Sequence, residues 1–291
     1  MLRTGLRRAG VFQSFRYSTC AMILLVGAWE LGPWRSHALQ AADVPPTVRM
    51  MNATVKLENP KSTATALVVR RVEGSRTSFA ILTAAHVFSA AEGDFVSGKF
   101  REEVPNGGFR VRPLPLRVRQ DGTPIWKAHP SVDLAAIPFE PPADFRADFV
   151  DEADLATEEQ LTQLDLTPGE TLYLTGYPHR NEGSPFGHPL MRTLTIATWP
   201  LLPLSRTREW QLDGNSHEGD SGGPVFHKPV AGAPGGRDRL RVVAVVTGQR
   251  IAVEEHRGAL TTMQFKQRLG FAVALPAPLA RETLAPVWPT R

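Results

Sequence analysis

The chain of 291 residues has a single cysteine, Cys20. One thiol closes no intramolecular disulfide, so no cysteine framework holds this fold and its hydrophobic core has to suffice. Zinc-type spacing is missing too, because the eight histidines are scattered and form no Cys/His cluster. No metal and no other cofactor is expected. Nor is there a long membrane-type run: Ala21-Met-Ile-Leu-Leu-Val-Gly-Ala-Trp29 is about half of the roughly 20 apolar residues that a spanning helix needs. An excess of charge is also absent from most of the chain. The net +4 resides in residues 1–41, with five arginines and one acid, while residues 42–291 carry 28 basic and 28 acidic residues. The sequence pI near 9.5 reports the leader, and nucleic acid is not an expected partner.

The first 41 residues have their own pattern. An arginine-rich start leads into the apolar run, and small residues follow at Ser36, Ala38 and Ala41. This is the order of a cleaved export signal, which places the protein in the periplasm or outside the cell. An uncleaved anchor and a mitochondrial presequence are the competing readings. Cys20 precedes the apolar run, the wrong side for lipid attachment.

Beyond the leader, short β-branched runs alternate with turn residues, and 25 prolines and 24 glycines are spread along the chain. Strands are expected over residues 48–58, 64–72, 78–83, 98–104, 109–119, 125–129 and 134–139, with a helical turn at 84–88 and a hairpin turn at Asn106-Gly107-Gly108. A second set is expected over 171–174, 191–198, 209–212, 224–227, 239–246 and 264–271, with a glycine-rich loop at 231–237 and a short terminal helix at 278–284. The acidic stretch 141–167 between them reads as an exposed connection with a short helix near 158–164. The pattern is all-β: two packed six-stranded antiparallel barrels, residues 42–140 and 168–291, with a site at their interface.

The stretch His217-Glu-Gly-Asp-Ser-Gly-Gly-Pro-Val-Phe226 places a serine among glycines. Acyl transfer by a serine needs a base, an acid to orient that base, and donors for the oxyanion. The N–H groups of Gly219 and Ser221 are candidates for the donors, because glycine permits the tight turn that aims two N–H groups at one point. His217 is a poor base, since its ring would fold back across the backbone that forms the hole. His86, ending a strand in Leu82-Thr-Ala-Ala-His86, is the better one. Asp133 is the matching acid, with Leu134 and the apolar run after it expected to bury the carboxylate.

These three segments, Leu82-Thr-Ala-Ala-His86, Asp133-Leu-Ala135 and Gly219-Asp-Ser-Gly-Gly-Pro224, resemble those of the trypsin-like (chymotrypsin-fold) serine proteases, in the same His, Asp, Ser order. The resemblance covers roughly residues 48–280. Thr175-Gly-Tyr-Pro178 is similar to the bacterial glutamyl-endopeptidase-like group, and Gly270-Phe-Ala-Val-Ala-Leu-Pro276 to the bacterial high-temperature-requirement proteases, with no peptide-binding domain following. The resemblance implies a stand-alone peptidase acting on polypeptide through an acyl-enzyme. It also implies a substrate pocket with Asn215 at its base and the strand Val246-Thr247-Gly248 as a wall that pairs with substrate backbone. Asn215 is neutral and Val245 supplies no histidine, so a small or medium uncharged side chain is the expected preference. His217 either lines the pocket or faces solvent, and His179 and His188 are expected at the surface, in a mobile loop over 178–190. Asp220 has no partner identifiable from sequence, because the new N-terminus that pairs with its counterpart in animal trypsins is missing.

Two rival readings follow. A chain that keeps the fold but loses the hole at Asp220 would be a binding or scaffold module. A serine esterase of the α/β-hydrolase type would place its histidine last and its serine at a strand–helix elbow, and here Pro224 and a strand follow the serine.

Overall fold

A computed structural model describes residues 44–104, 108–234, 239–257 and 262–289. The leader, the hairpin turn at 105–107 and the end of the 231–237 loop lie outside the described residues. The expected first strand is in part a helix, α1 (Pro46–Ala53), followed by strand β1 (Thr54–Glu58). Proline at the first helical position has its φ preset for helix, and Met50 and Ala53, three residues apart, share the buried face. The chain continues through β2 (Thr63–Glu73), β3 (Arg76–Thr83), α2 (Ala85–Ser89), β4 (Phe95–Val104) and β5 (Gly108–Arg117). Short strands β6 (Arg119–Gln120), β7 (Thr123–Pro124) and β8 (Lys127–Ala128) precede β9 (Ala135–Phe139) and β10 (Val150–Asp151).

The order of the first sheet is β5-β4-β1-β2-β3-β9-β8, with β10 added parallel to β2. The first half is thus an eight-stranded sheet whose hydrogen bonding does not close among the described residues, and with the closed barrel of the second half it is consistent with the expected two-barrel all-β fold. It still surrounds a core: Val55, Val68, Ile81, Phe100, Leu116 and Ile137, from six strands, meet in one apolar cluster. β2 and β3 are buried on both faces. Ala66, Val68 and Ile81 enter that cluster, while Leu67, Val69, Ala80 and Leu82 enter a larger one shared with the second half. Alternate residues of a strand face opposite ways, which is why these strands read as continuous apolar runs.

The connection 141–167 is packed, not simply exposed. Leu155, Ala156, Leu161, Leu164 and Leu166 join the larger cluster. Helix α3 (Glu158–Leu164) starts at a capping box in which Thr157 and Gln160 satisfy each other's backbone N–H groups. The acids of this stretch find partners, as in the two bonds from Arg70 to Asp151 (2.7 and 3.0 Å). Then come β11 (Thr171–Gly176), β12 (Leu190–Ile196), β13 (Trp210–Asp213), β14 (Pro224–His227), β15 (Arg241–Arg257), β16 (Thr262–Pro276) and the terminal helix α4 (Ala277–Leu284). These six strands close into the expected antiparallel barrel, in the order β11-β12-β13-β16-β15-β14. β15 and β16 are far longer than expected and run past the barrel as a two-stranded ribbon. No helix among the described residues is long and apolar enough to cross a membrane.

Candidate active site

β3 delivers His86. The strand ends at Thr83, Ala84 stays extended, and α2 turns at once, so His86 sits in its first turn, half exposed at the rim of the sheet. Asp133 approaches from the loop before β9 and grips this histidine twice. Oδ1 accepts from the His86 backbone N–H (2.9 Å) and Oδ2 from the ring at Nδ1 (2.6 Å). The Ala85 N–H adds a bond to the Asp133 carbonyl (3.3 Å). Leu134 is fully buried as expected, but Asp133 itself is not: its side chain is 41% exposed. Its orienting grip therefore comes from two hydrogen bonds, not from enclosure.

Ser221 follows β13 in the loop that returns to β14. Ser221, Gly219 and His86 line one cleft of about 430 Å³ together with Lys61, His179 and Glu218. Among the described residues, His86 is hydrogen-bonded to Asp133 and not to Ser221. The loop is held against the first sheet by Thr65 of β2. Its N–H donates to the Ser221 carbonyl (2.9 Å), its hydroxyl donates to the Gly219 carbonyl (2.6 Å), and the same hydroxyl accepts from the Tyr177 N–H (3.2 Å). Glycine is required twice here. At Gly219, φ is +100° and a Cβ would stand 2.1 Å from the Tyr177 carbonyl oxygen; at Gly222, φ is +88° and a Cβ would stand 2.0 Å from that of Thr65. The Glu218 carbonyl accepts from the His179 N–H (2.6 Å). A trans peptide aims its C=O and N–H in opposite directions, so this bond turns the Gly219 N–H away from His179.

Asp220 is fully buried, and its partner is Arg192 of β12, which the sequence reading did not find. Arg192 Nη2 donates to Oδ1 (2.5 Å), the His217 N–H donates to Oδ2 (2.7 Å), and Arg192 Nη1 reaches the Asn215 carbonyl (3.0 Å). One guanidinium thus ties together both ends of the 215–220 loop. The signal was present in the strand: Arg192 shares its parity with the buried Leu194 and Ile196, and a cation on an inward face calls for a buried acid. Thr65, polar within the buried run Ala64–Val69, could have been found the same way.

His217 does not enter the His86–Ser221 cleft. It lines a separate depression with Asn215, Arg192, Tyr173, Met191 and Thr193. Its Nδ1 accepts from Arg268 of β16 (3.2 Å), and its ring lies 5.0 Å from that of His179. Burial, helped by the charges of Arg192, His179 and Arg268 and opposed by Asp220, lowers its pKa. The residues expected to form the substrate pocket are not gathered in the cleft either. Asn215 faces the second depression, and Thr247 and Gly248 lie half-buried at a register shift of β15. The 178–190 loop is pinned and not simply a surface feature: His188 is half-buried between Ser184 (2.8 Å) and Asn52 (3.1 Å).

A family model described as a trypsin-like peptidase domain matches residues 64–229, more than half of the chain. The chain belongs to the trypsin-like serine peptidases, hydrolases that act on polypeptides. Among solved structures it is similar to the inactive form of Rv3671c from M. tuberculosis H37Rv, in a serine-to-alanine mutant. That match has 17% identity and a TM-score of 0.45, covering 85% of this chain and 93% of the other. It is also similar to a second structure of the Rv3671c protease, again in an inactive form. There the identity is 17% and the TM-score 0.43, covering 84% and 93%. No curated protein matches the chain.

Proposed function

We propose that the protein is an exported serine endopeptidase whose nucleophile is Ser221, whose base is His86 and whose orienting acid is Asp133. The observation that carries this reading is the double grip of Asp133 on His86 within the cleft that Ser221 lines. With Nδ1 donating to Asp133, the neutral ring presents a bare Nε2 as acceptor. Substrate binding brings Ser221 into reach; catalytic hydrogen bonds are often long in the unliganded state. Ser221 Oγ attacks the scissile carbonyl as its proton passes to Nε2, the imidazolium then protonates the leaving amine, and water resolves the acyl-enzyme by the same route.

The N–H groups of Gly219 and Ser221 form the oxyanion hole. Support comes from the Glu218 carbonyl turned toward His179 and from Thr65 holding the Gly219 carbonyl. Arg192 gives Asp220 the partner whose lack was the ground for a binding-only module. Export rests on the leader pattern of residues 1–41.

The test is a peptide library incubated with the purified protein. Cleavage that disappears in Ser221→Ala is the expected result. Equal cleavage by the variant would assign the activity to another group or to a contaminant.

A further inference from the structure

The ribbon of β15 and β16 carries more than the barrel needs. β14 accompanies β15 only over its first residues, and Val246 then exchanges backbone bonds with Gly222 and Gly223 (2.7 and 2.9 Å). From Thr247 outward, the edge of β15 away from β16 has no strand partner among the described residues. The register continues from Ile251↔Arg268 through Val253↔Lys266 to Arg257↔Thr262. Residues directly opposite share a face and neighbouring pairs alternate. Ile251, Val253, Glu255, Gln264, Lys266 and Arg268 therefore lie on one face, and Glu254, His256, Phe265 and Met263 on the other. The bond from Arg268 to His217 turns the first face toward the loop that carries Ser221.

On that face Ile251 and Val253 are 46% and 55% exposed, beside two exposed cations. Among the described residues Arg268 reaches an imidazole and not a carboxylate. Free strand edges are ordinarily blunted by charge, proline or a cover. Here β15 carries charge at Arg250, Glu254 and Glu255, and the β-branched Ile251 and Val253 stand between them on an edge that no described strand covers; past register shifts at 246/248 and 249/251 it continues the strand beside the serine.

We propose that the ribbon extends the peptide-binding strand, so that substrate upstream of the scissile bond lies as an added antiparallel strand along the β15 edge. Its apolar side chains lie beside Ile251 and Val253, and an acidic one lies within reach of Lys266 and Arg268. The inference rests on the serine-endopeptidase reading above. The Val246 end is bonded to the residues following Ser221, so the cut lies at that end. In antiparallel pairing, moving from Val246 toward Glu255 then moves toward the substrate's N-terminus. Main-chain groups give such added strands affinity, and the flanking side chains give selectivity. At about 3.3 Å per residue, the seven steps from Gly248 to Glu255 carry the substrate roughly 23 Å from the cleft. The substrate class is thus polypeptide that is extended over many residues before the cut, with apolar side chains and an acidic one at every second position, all on the face toward Ile251 and Val253.

The experiment uses the full chain carrying Ser221→Ala, titrated with fluorescent peptides identical around the cut. One has about three upstream residues and one about nine, the extra ones carrying valine, valine and glutamate at every second position with threonine between. The long peptide is expected to bind about ten-fold tighter or more, a gain of about 1.4 kcal/mol. Ile251→Asp with Val253→Asp should bring that ratio close to one. Met263→Asp, on the opposite face, should leave it standing, and melting curves verify that each variant is folded. Equal or undetectable binding of the two peptides would overturn the proposal. So would a ratio indifferent to Ile251 and Val253, or self-association that only the paired aspartate substitutions abolish. The binding ratio is read without turnover, so a parent protein that cleaves nothing would sink the triad reading alone. An active parent with no length dependence would sink the ribbon alone.

Discussion

At the scale of single residues, the molecule separates chemistry from the support of chemistry. The proposed triad was legible because each member stands in a short segment beside an apolar strand: His86 after β3, Asp133 before β9 and Ser221 before β14. Their supports were legible only as polar residues on inward faces, because the atoms that Arg192 and Thr65 hold lie far away in sequence. Arg192→Met leaves the fully buried Asp220 carboxylate with only the His217 N–H. Stripping one partner from such a pair costs about 3 kcal/mol. Chemical denaturation should register that loss together with a drop in kcat, and Arg192→Lys should recover part of both. A variant as stable and as active as the parent would show that Arg192 does not hold the loop. The adjacency of His217 and Ser221 in sequence misleads for a physical reason: the ring leans on Arg268 and on His179 of the cleft wall, and itself lines a separate depression.

At the scale of elements, most strands lie where the period-two alternation places them. The misses have causes. Residues 48–53 alternate acceptably for a strand, but Pro45-Pro46 starts a helix there. The outer ribbon contains Glu254 and Glu255, which read as loop when no third strand is present to demand an apolar face. β2 matters most for function, since it clips the serine loop to the first sheet through Thr65. Thr65→Val keeps the shape and removes the hydroxyl, leaving the Gly219 carbonyl and the Tyr177 N–H without their buried partner. Each orphaned group costs about 1–3 kcal/mol. Steady-state kinetics should show kcat falling more than KM rises, because the loop geometry serves the transition state. A change confined to KM would place Thr65 in substrate binding.

At the scale of the whole molecule, one apolar cluster runs through the first sheet, the acidic connection and the barrel, and so fixes the two halves of the cleft. The same packing sets a pH response. Burial, aided by nearby arginine charge, holds the His188 and His217 imidazoles below their ordinary range. Their folded-state pKa values lie below the unfolded ones, so below about pH 6.5 the unfolded chain binds protons that the native state refuses. Stability from these groups is complete above that value and is lost as pH falls through the folded pKa values. Burial pushes the Asp154 carboxyl up, which works in the opposite sense. Urea midpoints should therefore fall between pH 7 and pH 5, and the double variant His188→Gln, His217→Gln should flatten that slope. An unchanged slope would mean that other groups control it.

Whether Ser221 is a nucleophile served by His86 is decided by mass spectrometry after exposure to a fluorophosphonate. A single adduct on Ser221 is expected in the parent, and little or none in His86→Ala. An adduct on another residue, no adduct on the folded parent, or equal labelling in His86→Ala would contradict it.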